Sequence, residues 1–278
     1  MLETWTLLSA LSTETSKLRL GTLVLCNSYR NPALLAKMLA TLDVISNGRV
    51  DFGIGTGGWE FEHLNYGYPF PKGSVRRQKL DESLEIIKKL LTQKITNFEG
   101  THFSVKNAVC EPKPIQKPHP PIWVGGIGNN LLKLTAKHAD GCNFCYITFE
   151  RFKERLEYLK ECCNQIGRSF DTITKSFETS VVFGNYKKEI TRQLINQLRS
   201  PQRIKEMVRS PKEAKSVLSY RYYRPPYILS GGPEECAEKI HKFVDLGVTY
   251  FMLKFPFDTN FKNLELFAKK IIPQFKNS

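Results

Sequence analysis

Arg49-Val-Asp-Phe-Gly-Ile-Gly-Thr-Gly-Gly-Trp-Glu60 reads as a short strand running straight into a glycine-rich turn. Its spelling, Gly53-x-Gly55-x-x-Gly58, matches the dinucleotide fingerprint, in which such glycines open a helix that carries a pyrophosphate on its N-terminus. The continuation removes that reading. Trp59 to Pro71 contains Pro69 and Pro71, and two prolines so placed forbid a crossover helix of ordinary length. What is left is a strand end where the chain turns sharply and presents backbone N–H groups, as at the ligand-binding end of an α/β barrel.

Working outward, helices and strands alternate. Residues 2–16 have helical spacing, and Lys17 to Cys26 is a near-continuous apolar run of the kind buried in parallel sheets. Asn31 and Pro32 read as the N-cap and first position of a helix that Asn47-Gly48 stops. After the quoted strand and a long loop, a helix is expected from about Val75 to Leu91. The segment 96–121 breaks the rhythm with a small hairpin near Phe98–Phe103 and a proline-rich extended connection.

Ile122 to Asn130 then repeats the theme of strand and glycine-rich turn, followed by a helix from Leu131 to Ala139. Strands at 142–147, 174–183 and 249–255 alternate with helices at 150–166, 233–246 and near 260–275. Alternation throughout means parallel strands covered by helices. The strands number six, so the expected fold class is α/β, a TIM (β/α)₈ barrel apparently lacking its first two strands. An open doubly wound sheet is the structural alternative. The chain is read as one N-terminally incomplete barrel domain over residues 1–278, with insertions at about 96–121 and 185–230.

Composition narrows the class. The chain has 278 residues, 41% of them hydrophobic, enough to bury a substantial core. No run approaches the ~20 apolar residues of a membrane span, and the first ten residues carry an acid and no basic stretch, unlike a secretory signal. Seven scattered cysteines argue for reduced thiols in a cytoplasmic protein. Cys142-Asn-Phe-Cys145 spells C-x-x-C but sits in an aromatic, β-prone stretch, so the cysteines are read as structural and no metal is expected. The formal charge of +14 is uneven: between Lys187 and Arg224, eleven Lys or Arg face three Glu, a net +8. Such a segment can be a solvated helical insertion, steer an anionic ligand, or attract nucleic acid.

The combination of Arg19-Leu-Gly-Thr-Leu-Val24, Tyr29-Arg-Asn-Pro-Ala-Leu-Leu-Ala-Lys-Met38, Thr41 to Arg49, the opening loop, Glu111 to Ile122, Val124-Gly-Gly126 through Ala139-Asp-Gly141, Gly232-Pro-Glu-Glu235 and Gly247 to Phe251 closely resembles the luciferase-like monooxygenase family. The resemblance runs over nearly the whole chain and is closest to the coenzyme F420-dependent branch; a flavin mononucleotide (FMN) branch shares the fold. It implies a bacterial luciferase-like TIM barrel that binds an isoalloxazine-type ring at the C-terminal ends of its strands. It further implies a phosphate at Gly125, Gly126, Ile127 and Gly128, where a helix N-terminus can hold an anion. The ring would pack near a non-proline cis peptide at about Leu23-Val24, with Val24, Cys26 and Asn27 lining the pocket and Gly55, Thr56 and Gly57 facing it.

Glu60, Glu62 and His63 are the nearby titratable groups. A surface role is weighed ahead of catalysis for each, and Glu60 and His63 stand as the candidate catalytic residues. Arg76 and Arg77 are read as helix-surface charges, and His102, His119, His138 and His241 show no ligand spacing. The resemblance thus implies an oxidoreductase or monooxygenase that uses F420, or alternatively FMN, on a small organic substrate. A homodimer is compatible with it, and nucleic acid is not its expected partner. The alternative is a noncatalytic remnant, or a nucleic-acid-binding protein that uses residues 187–224.

Overall fold

The computed structural model describes residues 2–183, 229–255 and 261–275. The basic segment 187–224, and with it the expected insertion at 185–230, lies outside the described residues except for the last two positions of that insertion. The described chain gathers into two compact units: Met1–Cys142 with Tyr158–Ile173, and Asn143–Glu157 with Thr174–Ser278.

The first unit opens with helix α1 (Thr4–Glu14) and the short strands β1 (Leu20–Gly21) and β2 (Leu25–Cys26), followed by helix α2 (Pro32–Ile45) and strand β3 (Val50–Gly55). Helix α2 begins as its sequence dictates: Asn31 Oδ1 accepts from Ala33 N at 2.8 Å, and Pro32 occupies the first turn. Next come α3 (Glu60–Asn65), α4 (Gly73–Thr92), the antiparallel pair β4 (Thr96–Glu99) and β5 (Ser104–Ala108), strand β6 (Ile122–Gly125) and helix α5 (Asn129–His138). Strands β1, β2 and β6 all pair parallel to β3. Leu35, Leu39, Phe52, Ile54, Leu84, Ile87 and Val124 are buried in one apolar core between these strands and helices.

The expected unbroken strand from Lys17 to Cys26 is two strands. Leu20 lies opposite Val50 but Leu25 lies opposite Ile54, so one residue of the first strand is left over and bulges out between them. In the gap, Thr22 Oγ1 donates to Gly53 O at 2.6 Å and accepts from Gly53 N at 2.9 Å, replacing the missing ladder bonds. The six-residue helix α3 was also not legible, because its residue buried against the rest of the fold is His63, while Leu64 is exposed.

The segment 96–121 is tied down by two carboxylates. Glu82 of α4 accepts from the backbone N–H groups of Thr101, His102 and Phe103 at 2.9–3.0 Å, pinning the β4–β5 hairpin. Asp43 of α2, fully buried, accepts from Gln116 N at 2.9 Å and Gln116 Nε2 at 2.7 Å.

Strand β7 (Gly141–Cys145) and helix α6 (Phe149–Gln165) each contribute to both units. The second unit continues with β8 (Thr174–Phe183), a short β9 (Leu229–Gly231), helix α7 (Pro233–Val244), β10 (Val248–Lys254) and helix α8 (Lys262–Lys270). Both β9 and β10 pair parallel to β8. Among the described residues, counting β1 and β2 as one, six parallel strands alternate with helices as expected, and β9 is a short addition that sequence pattern did not reveal.

The two faces of β8 differ sharply. Phe177 stacks on Phe243 of α7 with ring centroids 4.1 Å apart, and Phe144 and Phe152 close the same aromatic cluster edge-on. The alternate residues Ser176, Glu178 and Ser180 are buried and polar. Ser176 Oγ donates to Asn143 Oδ1 at 2.9 Å, and Asn143 Nδ2 donates to Glu178 Oε2 at 3.2 Å. The Lys254 ammonium pairs with the other oxygen of Glu178.

Phe243→Ala removes the ring at the centre of this cluster and is expected to cost about 3–5 kcal/mol of stability in urea unfolding. Leu2→Ala, at a side chain 76% exposed, should stay within about 0.5 kcal/mol of the parent.

Candidate functional site

Three strand ends of the first unit converge on one side chain. The Leu23-Val24 peptide is cis, the position at which the family resemblance placed a non-proline cis bond. The Val24 isopropyl group lies over the ends of β3 and β6. A Cβ added to Gly55 would come to 3.0 Å from Val24 Cγ2, and one added to Gly125 to 3.0 Å from Val24 Cγ1. Glycine is required at both positions because Val24 already occupies the room that a side chain would take. The structure therefore brings Val24, Gly55 and Gly125 together as the sequence reading grouped them. It also shows that the space beside these glycines is filled by the protein's own valine.

Cys26 and Asn27 follow at the end of β2. Asn27 is 3% exposed, and its Oδ1 is buried with no hydrogen-bond partner. A buried carbonyl acceptor left unmatched costs free energy, and a ligand donor would recover it. Asn27, Tyr29, Arg30, Tyr68 and Lys79 line a cavity of about 260 Å³.

Gly57 sits in the turn after β3 with φ +75°, a left-handed conformation that glycine adopts without penalty. A Cβ there would lie 2.5 Å from Cys26 Sγ and 2.9 Å from His63 Cε1. His63, read from sequence as more surface than catalytic, is 1% exposed. One turn of helix explains the difference: Trp59 and His63 are four residues apart, and α3 folds the imidazole back over the strand ends. His63 Nδ1 lies 2.8 Å from Trp59 O, Tyr29 Oη lies 3.2 Å from the same nitrogen, and Nε2 lies 3.5 Å from Cys26 Sγ. Phe70 packs edge-on against the ring.

Burial is the main cause that pushes the Tyr29 hydroxyl well above the usual tyrosine range, reinforced by the negative charges of Cys26 and Glu62 in their ionised forms. Burial likewise pushes the Cys26 thiol up, against smaller opposing hydrogen bonds from Ser28. Glu60, by contrast, is exposed at the start of α3, as the surface reading had it. Tyr29 stood in the sequence only as part of a segment that carries the family resemblance and was not named as a site residue; the signal that could have found it is the Trp59–His63 spacing, which turns the imidazole inward.

The third strand end leads into α5. Gly126 has φ +124°, Ile127 is half-buried, and Gly128 is the N-cap with nothing within 4 Å of where its Cβ would be. No side chain caps this helix, and no acidic residue lies in its first turn. Its positive end therefore faces open space, as an anion site requires. Thr56, between the two glycines of the β3 turn, is half-buried. All seven cysteines are thiols. Among the described residues no His, Cys, Asp or Glu cluster is placed to hold a metal ion, and no helix is long and apolar enough to cross a membrane.

A cavity-filling test separates the two kinds of glycine. Gly125→Ala forces Val24 to move and is expected to lower stability by about 1–3 kcal/mol in thermal or urea melts, with Val24→Ala in the same chain recovering part of the loss. Gly128→Ala, with open space around it, should change stability by less than about 1 kcal/mol.

Along its length the chain is similar to several known proteins. The F420-dependent glucose-6-phosphate dehydrogenase of Microbacterium testaceum (strain StLB037) is 29% identical over 282 residues, covering 97% of this chain and 82% of that protein. The solved coenzyme F420-dependent tetrahydromethanopterin reductase from Methanopyrus kandleri superposes with a TM-score of 0.80 at 22% identity, over 99% of this chain and 88% of that one. An F420-dependent secondary alcohol dehydrogenase, solved with an F420-acetone adduct, gives a TM-score of 0.80 at 22% identity, over 98% of this chain and 84% of that one. These likenesses establish the fold. The sequence profile of the luciferase-like monooxygenases matches residues 1–250, and the chain belongs to that family.

Proposed function

We propose that the protein is an oxidoreductase that binds coenzyme F420 at the ends of β2, β3 and β6 and moves a hydride between it and a small organic substrate. The observation that carries this reading is the match, along 97% of the chain, to a relative named for F420-dependent dehydrogenation. The site supports it independently. An uncapped helix N-terminus in open space fits a phosphate, and a buried, unmatched Asn27 Oδ1 fits a ligand N–H or O–H.

When bound, the deazaflavin supplies the hydride chemistry. The chain's own residues bind and orient. The first N–H groups of α5 take the phosphate, and the positive end of the helix adds to that hold. Val24 offers an apolar branched surface in register with the two strand-end glycines, and Asn27 accepts a hydrogen bond. The aromatic wall of Tyr29, Tyr68 and Phe70 around His63 keeps water from the ends of these strands.

Titration of the purified protein with F420 and, separately, with FMN tests the reading: F420 should bind and FMN should bind more weakly. Glucose 6-phosphate, the substrate in the Microbacterium relative's name, is the first compound to assay for F420 reduction. Binding of neither cofactor would overturn the assignment. Gly128→Asp is a sharper probe, because a carboxylate at the N-cap preserves or strengthens α5 while occupying the anion site. F420 affinity should fall by at least about tenfold with no loss of melting temperature.

A further inference from the structure

We propose that Cys26 and His63 form a base-assisted thiol, a modification site at which the Cys26 sulfur takes up small electrophiles and hydroperoxides.

The argument begins with the tautomer. Trp59 O can only accept, so the short contact at 2.8 Å assigns the proton of the neutral imidazole to Nδ1. Nε2 then carries the lone pair, and it points at Cys26 Sγ, 3.5 Å away, a distance suited to an S–H donor. The ring cannot readily swing aside: it is 1% exposed, held by Trp59 O and Tyr29 Oη, and packed between the Tyr29 and Phe70 rings at centroid distances of 4.8 and 4.9 Å. Cys26 is half-buried, whereas its base is 1% exposed. Gly57 is what permits the pair to meet, since any side chain there would collide with both partners. The next residue, Asn27, has a buried Oδ1 with no hydrogen-bond partner.

Burial keeps the resting sulfur protonated, so reactivity comes from proton transfer to His63 and not from a standing thiolate. With a hydroperoxide, the S–H proton passes to Nε2 and the sulfur attacks the terminal oxygen. An S–O bond forms, the O–O bond breaks, and the departing oxyanion recovers the proton from the imidazolium. The sulfur is oxidised by two electrons to a sulfenic acid, and the peroxide is reduced to water or an alcohol. With an alkyl iodide, an S–C bond forms and iodide leaves.

The test treats the full chain with iodoacetamide at neutral pH and follows each cysteine peptide by mass spectrometry. Cys145, the other half-buried cysteine, is the internal reference. Cys26 should be alkylated at least about tenfold faster than Cys145, and His63→Gln should remove most of that advantage without changing the Cys145 rate. Gly57→Ala, which drives the partners apart, provides a second route to the same loss. Hydrogen peroxide followed by dimedone trapping should label Cys26 in the same order. Equal rates for Cys26 and Cys145 in the parent protein, or a Cys26 rate untouched by both variants, would overturn the proposal. None of these readouts depends on whether F420 binds.

Discussion

The seating of Val24 against Gly55 and Gly125 is the constraint on which the rest of the first unit depends. A parallel sheet ordinarily carries side chains on both faces at every strand end. Here two of the three strand ends have none, and the third supplies a single branched group that serves for all. The one-residue bulge between β1 and β2 delivers Val24 to that position, and Thr22 repairs the hydrogen bonds the bulge interrupts. Cys26 and Asn27 then follow at the strand end beside the turn of Gly57, and the β6 turn leads directly into α5. Bulge, glycines and helix N-terminus are consequences of one packing decision.

Much of this was legible in the residues, for physical reasons. Asn31-Pro32 and Asn47-Gly48 bracket α2 because capping and positive φ are local chemistry, and the helix runs from Pro32 to Ile45 with Asn31 as its cap. The glycine-rich turns were visible because few residues other than glycine tolerate such backbone. The bulge was not visible, since Leu20 to Cys26 looks equally apolar whether or not one residue steps out of register. His63 was misjudged for the same kind of reason. Its neighbours in sequence are polar, and only the short α3, stabilised by tertiary contacts and too brief to persist alone, turns the ring inward.

The second unit makes a parallel point about polarity. Strand β8 alternates Phe177 with Ser176 and Glu178, yet both sets are buried. Alternation in a chain rich in parallel strands therefore does not mean one wet face. It divides an aromatic face packed on α6 and α7 from a face where Asn143, Glu178 and Lys254 satisfy one another. The hairpin and proline-rich connection of segment 96–121 were recognisable in the sequence, but what fastens them was not, because Glu82 and Asp43 are ordinary helix residues until their partners arrive from far along the chain.

Those two carboxylates bear on how the chain can diverge. Because Asp43 is fully buried and satisfied by Gln116, the segment that carries Gln116 is not a detachable module. Trimming it while keeping α2 would leave the Asp43 carboxylate without the two donors that satisfy it, a loss of about 1–3 kcal/mol. Descendants of this sequence can shorten or exchange the segment only if position 43 changes with it. Helix α2 and the proline-rich crossing therefore form a single heritable unit, although about 70 residues separate their partners along the chain.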